Sequence, residues 1–286
     1  MEYKILINPN QLFQNINNPN WVIVDSRFWL EDTEKGRRDY LAGHIPGAIY
    51  AHIDEDLSSL PVLGMTGRHP LPPAEEFSAK LSAWGIDSTV QVVVYDDRGG
   101  IIAGRLWWML RWLGHNSVAV LDGGIPRWKR EGFPTTDDFP VQQPRFFVPN
   151  PQQDMLVDAE EILGRFGDPN YLLIDGRASE RYRGEIEPID AVAGHIPGAV
   201  NLPVSENLDD QGNFKKKKEL RARYKKFLTS KPTKKIVNYC GSGVTSVHNI
   251  LAMMHAGLGD GQLYLGSWSD WITDPEHPIA TSFDVN

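Results

Sequence analysis

Cys240 is the one cysteine of the 286-residue chain, and it closes an apolar run, Ile236-Val237-Asn238-Tyr239, directly before the glycine-rich stretch Gly241-Ser242-Gly243-Val244-Thr245-Ser246. A thiol at the end of a strand, entering a loop whose successive N–H groups converge, is placed to act as a nucleophile, because inward-pointing amides favour the thiolate. The next segment has helical spacing at Val247, Leu251 and Met254, so the loop would lead into a helix N-terminus, which favours an anion further. A small buried core cysteine is the other reading of the same residue. Two glycines within three residues weigh against it, since they cost backbone entropy and belong where a chain bends tightly or approaches a ligand.

The elements that must position this loop occur twice. Trp21-Val22-Ile23-Val24-Asp25-Ser26-Arg27 recurs as Tyr171-Leu172-Leu173-Ile174-Asp175-Gly176-Arg177, and Ala42-Gly43-His44-Ile45-Pro46-Gly47-Ala48 recurs as Ala193-Gly194-His195-Ile196-Pro197-Gly198-Ala199. Later blocks match too: Val93-Val94-Tyr95-Asp96 stands opposite Val237-Asn238-Tyr239-Cys240, and Leu121-Asp122-Gly123-Gly124 opposite Tyr264-Leu265-Gly266-Ser267. An offset of roughly 150 residues far exceeds the period of a solenoid, so the chain is a duplicated domain. Within a copy, short apolar runs (91–95, 118–121) alternate with helical stripes (Phe77, Leu81, Trp84; Ile102, Leu106, Leu110, Leu113). That alternation predicts an α/β fold, two tandem domains each with a mostly parallel sheet flanked by helices. In such sheets ligands sit beyond the carboxyl ends of strands, where Cys240 and its counterpart Asp96 both fall. The expected domains are 1–135 and 155–286, joined over 136–154 by a stretch in which prolines replace periodicity; it would run extended and wrap one domain or bridge both.

The formal charge of −8 argues against nucleic acid and against polybasic membrane attachment. The basic run Lys215–Lys218 reads as a solvated helix face. No stretch approaches the roughly 20 apolar residues of a membrane span, and residues 1–6 lack the long apolar region of a signal peptide, so the default expectation is the cytoplasm. A lone cysteine excludes an internal disulfide and leaves no resolving thiol. His44 and His195, at equivalent places in separate copies with no second ligand at short spacing, read as turn-fixing residues rather than metal ligands. Asp25 and Asp175 read as ties for the same turn.

Together these blocks resemble the tandem-domain rhodanese family of sulfurtransferases, over nearly the whole chain. The resemblance implies a first domain that has lost its nucleophile, with Asp96 in place of cysteine, a catalytic second domain, and an active site between them. It implies no cofactor and no metal. The chemistry would be a Cys240 thiolate that takes sulfur from a donor to become a persulfide, which an acceptor then attacks, in ping-pong order. The amides of Gly241, Ser242, Gly243, Val244 and Thr245 would hold its charge. With no second thiol, discharge must go to cyanide, a small thiol or a thioredoxin-like protein.

Within the family, Cys-Gly-Ser-Gly-Val-Thr is similar to the enzymes that use 3-mercaptopyruvate, whereas members specialised for thiosulfate place basic residues after the cysteine. The subgroup's proton relay maps by position to Ser242, His69 and Asp54. Its substrate arginine maps to Arg181, able to grip a carboxylate through two hydrogen bonds; Arg177 aligns with Arg27 of the other copy and reads as structural. One departure stands out: where a second arginine is common, this chain reads Gly184-Glu185-Ile186-Glu187-Pro188-Ile189-Asp190, which keeps thiosulfate open as a donor. A Cys-x5-Arg phosphatase is excluded by Ser246, six residues after Cys240. A persulfide carrier without small-molecule turnover is the alternative of another class.

Overall fold

The computed structural model describes residues 2–228 and 235–281, so the outer limits of the expected domains, 1 and 286, fall outside it. The chain divides into two compact units. The first comprises the residues up to Ser59, Leu71–Gln152 and Leu208–Phe214; the second comprises Leu60–Pro70, Gln153–Asn207 and the described residues from Lys215 onward.

Each unit is built on a five-stranded parallel sheet of the same order. In the first unit β1 (Leu6–Ile7), β2 (Trp21–Asp25), β3 (Ala48–Tyr50), β4 (Gln91–Tyr95) and β5 (Val118–Leu121) line up as β1-β5-β4-β2-β3. In the second, β6 (Leu156–Val157), β7 (Leu172–Asp175), β8 (Val200–Asn201), β9 (Ile236–Tyr239) and β10 (Gln262–Tyr264) line up as β6-β10-β9-β7-β8. The duplication and α/β class read from the sequence are thereby seen in space. β4 and β9 are buried along their whole length, as expected of central strands covered by helices on both faces. Each side chain such as Val93 or Val237 then contributes about 1.5–3 kcal/mol of apolar burial.

Both copies tie the same turn in the same way. His44 Nδ1 bonds the Tyr40 carbonyl at 2.8 Å and its ring stacks on Tyr40; His195 Nδ1 bonds the Tyr182 carbonyl at 2.7 Å and its ring stacks on Tyr182. The guanidinium of Arg27 pairs with Asp25 and donates to the Gly43 carbonyl, and Arg177 does the same with Asp175 and Gly194. These four charged side chains are buried, so their pairing offsets a desolvation cost rather than adding stability freely.

The helical stripe expected from Ile102 starts later, at Gly104. The Asp96 carboxylate accepts the N–H groups of Ile102 and Ala103 at 2.7 and 2.9 Å and holds both in the loop. The proline-punctuated stretch carries no helix or strand of its own from Phe133 to Gln152 apart from a single bridge pairing Thr136 with His44. It runs over the first unit, with Arg145 donating to the Pro19 carbonyl and Asn150 and Gln152 to the Leu113 and Trp112 carbonyls. No helix among the described residues is long and apolar enough to cross a membrane.

Candidate active site

Cys240 follows the last residue of β9 and is buried. Its backbone is clamped from both sides: its N–H donates to Ser267 Oγ at 3.1 Å, and its carbonyl accepts the Trp268 N–H at 3.0 Å. Ser267 is the one non-glycine residue of the described chain with positive φ, at 57°, a conformation that costs an L-residue of order 1 kcal/mol. The first copy places Gly124 at the equivalent point with φ 56°. The serine accepts that cost and supplies the hydroxyl that fixes the cysteine, a role its sequence block alone did not disclose.

The loop beyond the thiol is shaped by close approach. Gly243 has φ 74°, and a Cβ there would lie 2.1 Å from the Leu265 carbonyl oxygen, so no side chain fits. Burial pushes the Cys240 thiol up, but the hydroxyls of Thr245 and Ser246 and the amides of Ser242 and Ser246 pull it further down, leaving it below an ordinary thiol. The helix Val247–His255 begins directly after the loop.

Asp96 shows what this kind of loop binds. Its carboxylate is fully buried and accepts four backbone N–H groups: Arg98 and Gly100 on one oxygen at 2.9 and 2.8 Å, Ile102 and Ala103 on the other at 2.7 and 2.9 Å. The Ile125 N–H donates to the Asp96 carbonyl as Trp268 does to that of Cys240. The strand-to-helix loop is therefore an anion nest, filled in the first unit by the side chain of the residue standing where the second unit has its thiol.

Residues 60–70 belong to the second unit and bring two more side chains to its loop. Gly67 lies so close to β10's end that a Cβ would come within 2.5 Å of the Gly266 carbonyl oxygen, and the Arg68 N–H donates to Ser269 Oγ at 3.1 Å. Thus pinned, this strap sets His69 Nδ1 2.7 Å from Ser242 Oγ, with both residues buried. The Arg68 side chain reaches the residue after the thiol: its Nη2 is 2.8 Å from where a Cβ on Gly241 would be, and the two Nη atoms of Arg181 are at 3.7 and 3.8 Å from the same point. Two guanidinium groups thus face Gly241.

Arg181 lies on the helix Ser179–Tyr182 and is engaged by acids. Its Nε and Nη2 donate to the two Glu187 oxygens at 3.0 and 2.6 Å, and Nη2 donates to Asp190 at 3.1 Å; Asp190 also pairs with Arg68. Both carboxylates are almost fully buried. Of the expected site residues, Cys240, Gly241, Ser242, Gly243, Val244, Thr245, His69 and Arg181 fall in this unit around one loop. Asp54 lies in the first unit, in the first turn of the helix Ile53–Asp56, its N–H donating to His52 Nδ1. Arg68, Ser267 and Asp190 were missed as residues of this loop's surroundings, although the Gly67-Arg68-His69 triplet carried a signal: a cation beside the histidine expected to contact Ser242.

A cavity of about 460 Å³ flanks the strap, lined by His69, Asp158, Glu161, Tyr264 and Asp270 among others, but Cys240 is not in its wall. For a metal, the described residues offer one group of three ligand types, Glu34, His52 and Glu55. Both nitrogens of His52 are already used, Nδ1 accepting the Asp54 and Glu55 amides and Nε2 donating to the Thr33 carbonyl.

A duplicated parallel sheet delivers one thiol and one carboxylate to equivalent loops at the ends of its central strands. The rhodanese-like domain model matches residues 8–131 and 158–274. The chain is 44% identical to a probable 3-mercaptopyruvate sulfurtransferase of Pseudomonas aeruginosa, over 96% of this chain and 98% of that protein. It is 33% identical to the thiosulfate sulfurtransferase of Bos taurus, over 94% and 92%. Among solved structures, the 3-mercaptopyruvate sulfurtransferase of Leishmania major superposes with a TM-score of 0.81 at 32% identity, covering 93% of this chain and 73% of that one. The chain belongs to the rhodanese family, as a tandem two-domain member, and it is a sulfurtransferase.

Proposed function

We propose that the protein transfers sulfur from 3-mercaptopyruvate to a thiophilic acceptor through a persulfide on Cys240. The observation that carries this reading is the 2.7 Å contact of His69 Nδ1 with Ser242 Oγ, two residues from the thiol. A donor that carries its sulfur as a thiol must lose that proton, whereas thiosulfate has none to lose, so a proton-handling pair beside the nucleophile suits the former. The Cys240 thiolate attacks the donor sulfur; the S–S bond forms as the S–C bond breaks, and its electron pair leaves on carbon as the enolate of pyruvate. The thiol proton passes by Ser242 and His69 to that carbon. The loop amides of Gly241 through Thr245 stabilise the persulfide anion. An acceptor nucleophile, cyanide, a small thiol or a thioredoxin-like protein, then takes the outer sulfur and regenerates the thiolate.

On this reading residues 155–286 form the catalytic copy and 1–135 the silent one, with 136–154 joining them and the strap 60–70 lending His69. Asp54 would complete the relay, and Arg181 would hold the donor carboxylate. No cofactor enters any step. The negative formal charge fits work on a small donor without nucleic acid, in the cytoplasm. The test is the ratio of kcat/KM for 3-mercaptopyruvate and thiosulfate with a common acceptor. A ratio well above one supports the reading; a preference for thiosulfate assigns the same persulfide chemistry to that donor instead.

A further inference from the structure

We propose that Asn207 is a positioning residue of the thiol loop: oriented by Arg223, it fixes the side chains of His248 and Asn249, whose backbones in turn set Thr245 and Ser246 beside Cys240. The inference rests on the reading of Cys240 as the nucleophile, and its test follows the thiol without turnover. All of these residues belong to the second unit.

Three observations carry it. The first is saturation. Asn207 ends the short 3₁₀ turn Val204–Asn207 and is fully buried, as are Tyr224, His248 and Asn249. Its amide uses both hydrogens and both lone pairs. Nδ2 donates to Asn249 Oδ1 at 2.8 Å and to His248 Nδ1 at 3.1 Å. Oδ1 accepts Arg223 Nη1 and, at 2.8 Å, the Tyr224 hydroxyl, whose single hydrogen Asn249 Oδ1 shares at 2.8 Å. The second observation is direction. A guanidinium only donates, so Arg223 dictates which end of the Asn207 amide faces it; the NH2 end then meets His248, whose Nδ1 must accept and whose ring proton sits on Nε2. Arg223 is itself held by the Pro203 carbonyl at 2.8 Å. One cation thus selects an amide orientation and, through it, a histidine tautomer. The third is adjacency to the thiol. His248 and Asn249 lie in the first turn of the helix Val247–His255, and their N–H groups donate to the Thr245 and Ser246 carbonyls, both at 3.0 Å.

The same network braces the end of the strand that carries the thiol. Asn249 Nδ2 donates to the Leu202 carbonyl at 2.9 Å and lies 3.4 Å from where a Cβ on Gly176 would be, while the Gly176 N–H donates at 2.8 Å to the carbonyl of Tyr239, the residue before Cys240. Buried polar groups so fully paired specify one arrangement, because turning any of them sets donor against donor or acceptor against acceptor. The first copy has no side chain for this purpose: Gly104 stands eight residues after Asp96, as His248 stands eight after Cys240, and Arg105, in the place of Asn249, donates to the Leu57 carbonyl at 3.1 Å. The network therefore accompanies the thiol and not the carboxylate. The hydroxyls of Thr245 and Ser246 draw the thiol down against its burial, so whatever fixes their backbone acts on the nucleophile's charge.

The test uses the full chain and follows the pH dependence of Cys240 alkylation by iodoacetamide. In Asn207→Asp the carboxylate still accepts from Arg223 and Tyr224 but turns a second oxygen on His248 Nδ1 and Asn249 Oδ1. Its alkylation midpoint is expected to rise by about one pH unit, the scale of one weakened hydrogen bond to a charged group. Arg223→Gln, whose amide can donate or accept and no longer dictates direction, is expected to raise the midpoint by less, and Arg223→Lys, a donor only, to restore it. Tyr224→Phe leaves the bonds of Asn207 to His248 and Asn249 intact, so it should lower Tm with the midpoint unmoved. A folded Asn207→Asp protein with a lowered Tm and the wild-type midpoint overturns the proposal and leaves Asn207 a stability residue; if that variant does not fold, an unmoved midpoint in Arg223→Gln overturns it equally. Nitrogen-15 NMR gives an independent check, in which the His248 ring should report the Nε2–H tautomer, and the Nδ1–H tautomer would also overturn it. Turnover retained by Cys240→Ser would instead defeat the nucleophile reading, while the midpoints still decide whether Asn207 governs the thiol.

Discussion

His69 reaches Ser242 across 173 positions of sequence, with Nδ1 and Oγ 2.7 Å apart, because the strap 60–70 packs on the unit that holds the thiol. Removing either partner should slow the step that moves the donor's proton. Ser242→Ala is expected to lower kcat with 3-mercaptopyruvate by about 10²-fold, the usual size of a general acid–base contribution, and to affect thiosulfate turnover much less. Equal losses with both donors would show that the pair shapes the loop rather than moving a proton.

Cys240→Ser should abolish turnover with any donor, and the wild-type protein incubated with donor alone should gain one sulfur atom by intact-mass measurement. Varying donor and acceptor together should give parallel double-reciprocal lines, since the first product leaves before the acceptor binds. Intersecting lines would contradict a persulfide intermediate that stands alone between two half-reactions.

The thiol's reactivity should turn on below the ordinary cysteine range. The rate of iodoacetamide alkylation is expected to rise with pH through a midpoint under about 8.5, because hydroxyl and amide donors outweigh burial. Thr245→Val removes the first of those donors, so the midpoint should move upward; a midpoint that stays put would show that the amides alone set it.

Arg181→Ala is expected to raise the donor KM by roughly tenfold to a hundredfold, the range of a hydrogen bond to a charged group. It also strips Glu187 and Asp190 of a shared partner while both stay buried, so thermal unfolding should fall as well. Donor kinetics unchanged in a destabilised protein would make Arg181 a structural ion-pair member only.

Asp96→Ala should cost stability without touching the thiol's chemistry. Four amides lose their acceptor, and unsatisfied buried donors cost about 1–3 kcal/mol each where water cannot replace the partner. A drop in Tm of several degrees measured by calorimetry is the expected outcome; an unaltered Tm would mean that water enters the loop.

The sequence carried the fold because it stated it twice: a buried run such as 91–95 is ambiguous alone, but its match at 236–239, with the same helix-patterned partners, leaves a parallel sheet as the consistent solution. The thiol loop was legible for a local reason, since its glycines and cysteine are contiguous. What escaped is what depends on distance or on backbone shape. Arg68 bonds Ser269 across 201 positions and pairs with Asp190 across 122, and no periodicity encodes such meetings. Ser267 reads as an ordinary serine until its φ of 57° shows it standing where the other copy uses glycine. The acids around Arg181 were visible at 187 and 190, yet only geometry shows that they hold the arginine.

The carboxylate of Asp96 fills the first unit's loop with a side chain that cannot leave, where the second unit's loop holds a thiol. The chain thus carries its own reference: one loop is closed by composition around four amide contacts, while on the proposed chemistry the other would fill, empty and refill as sulfur comes and goes. The first copy keeps the loop's hydrogen-bonding geometry around a carboxylate, and duplication has left a filled standard against which the thiol loop can be compared.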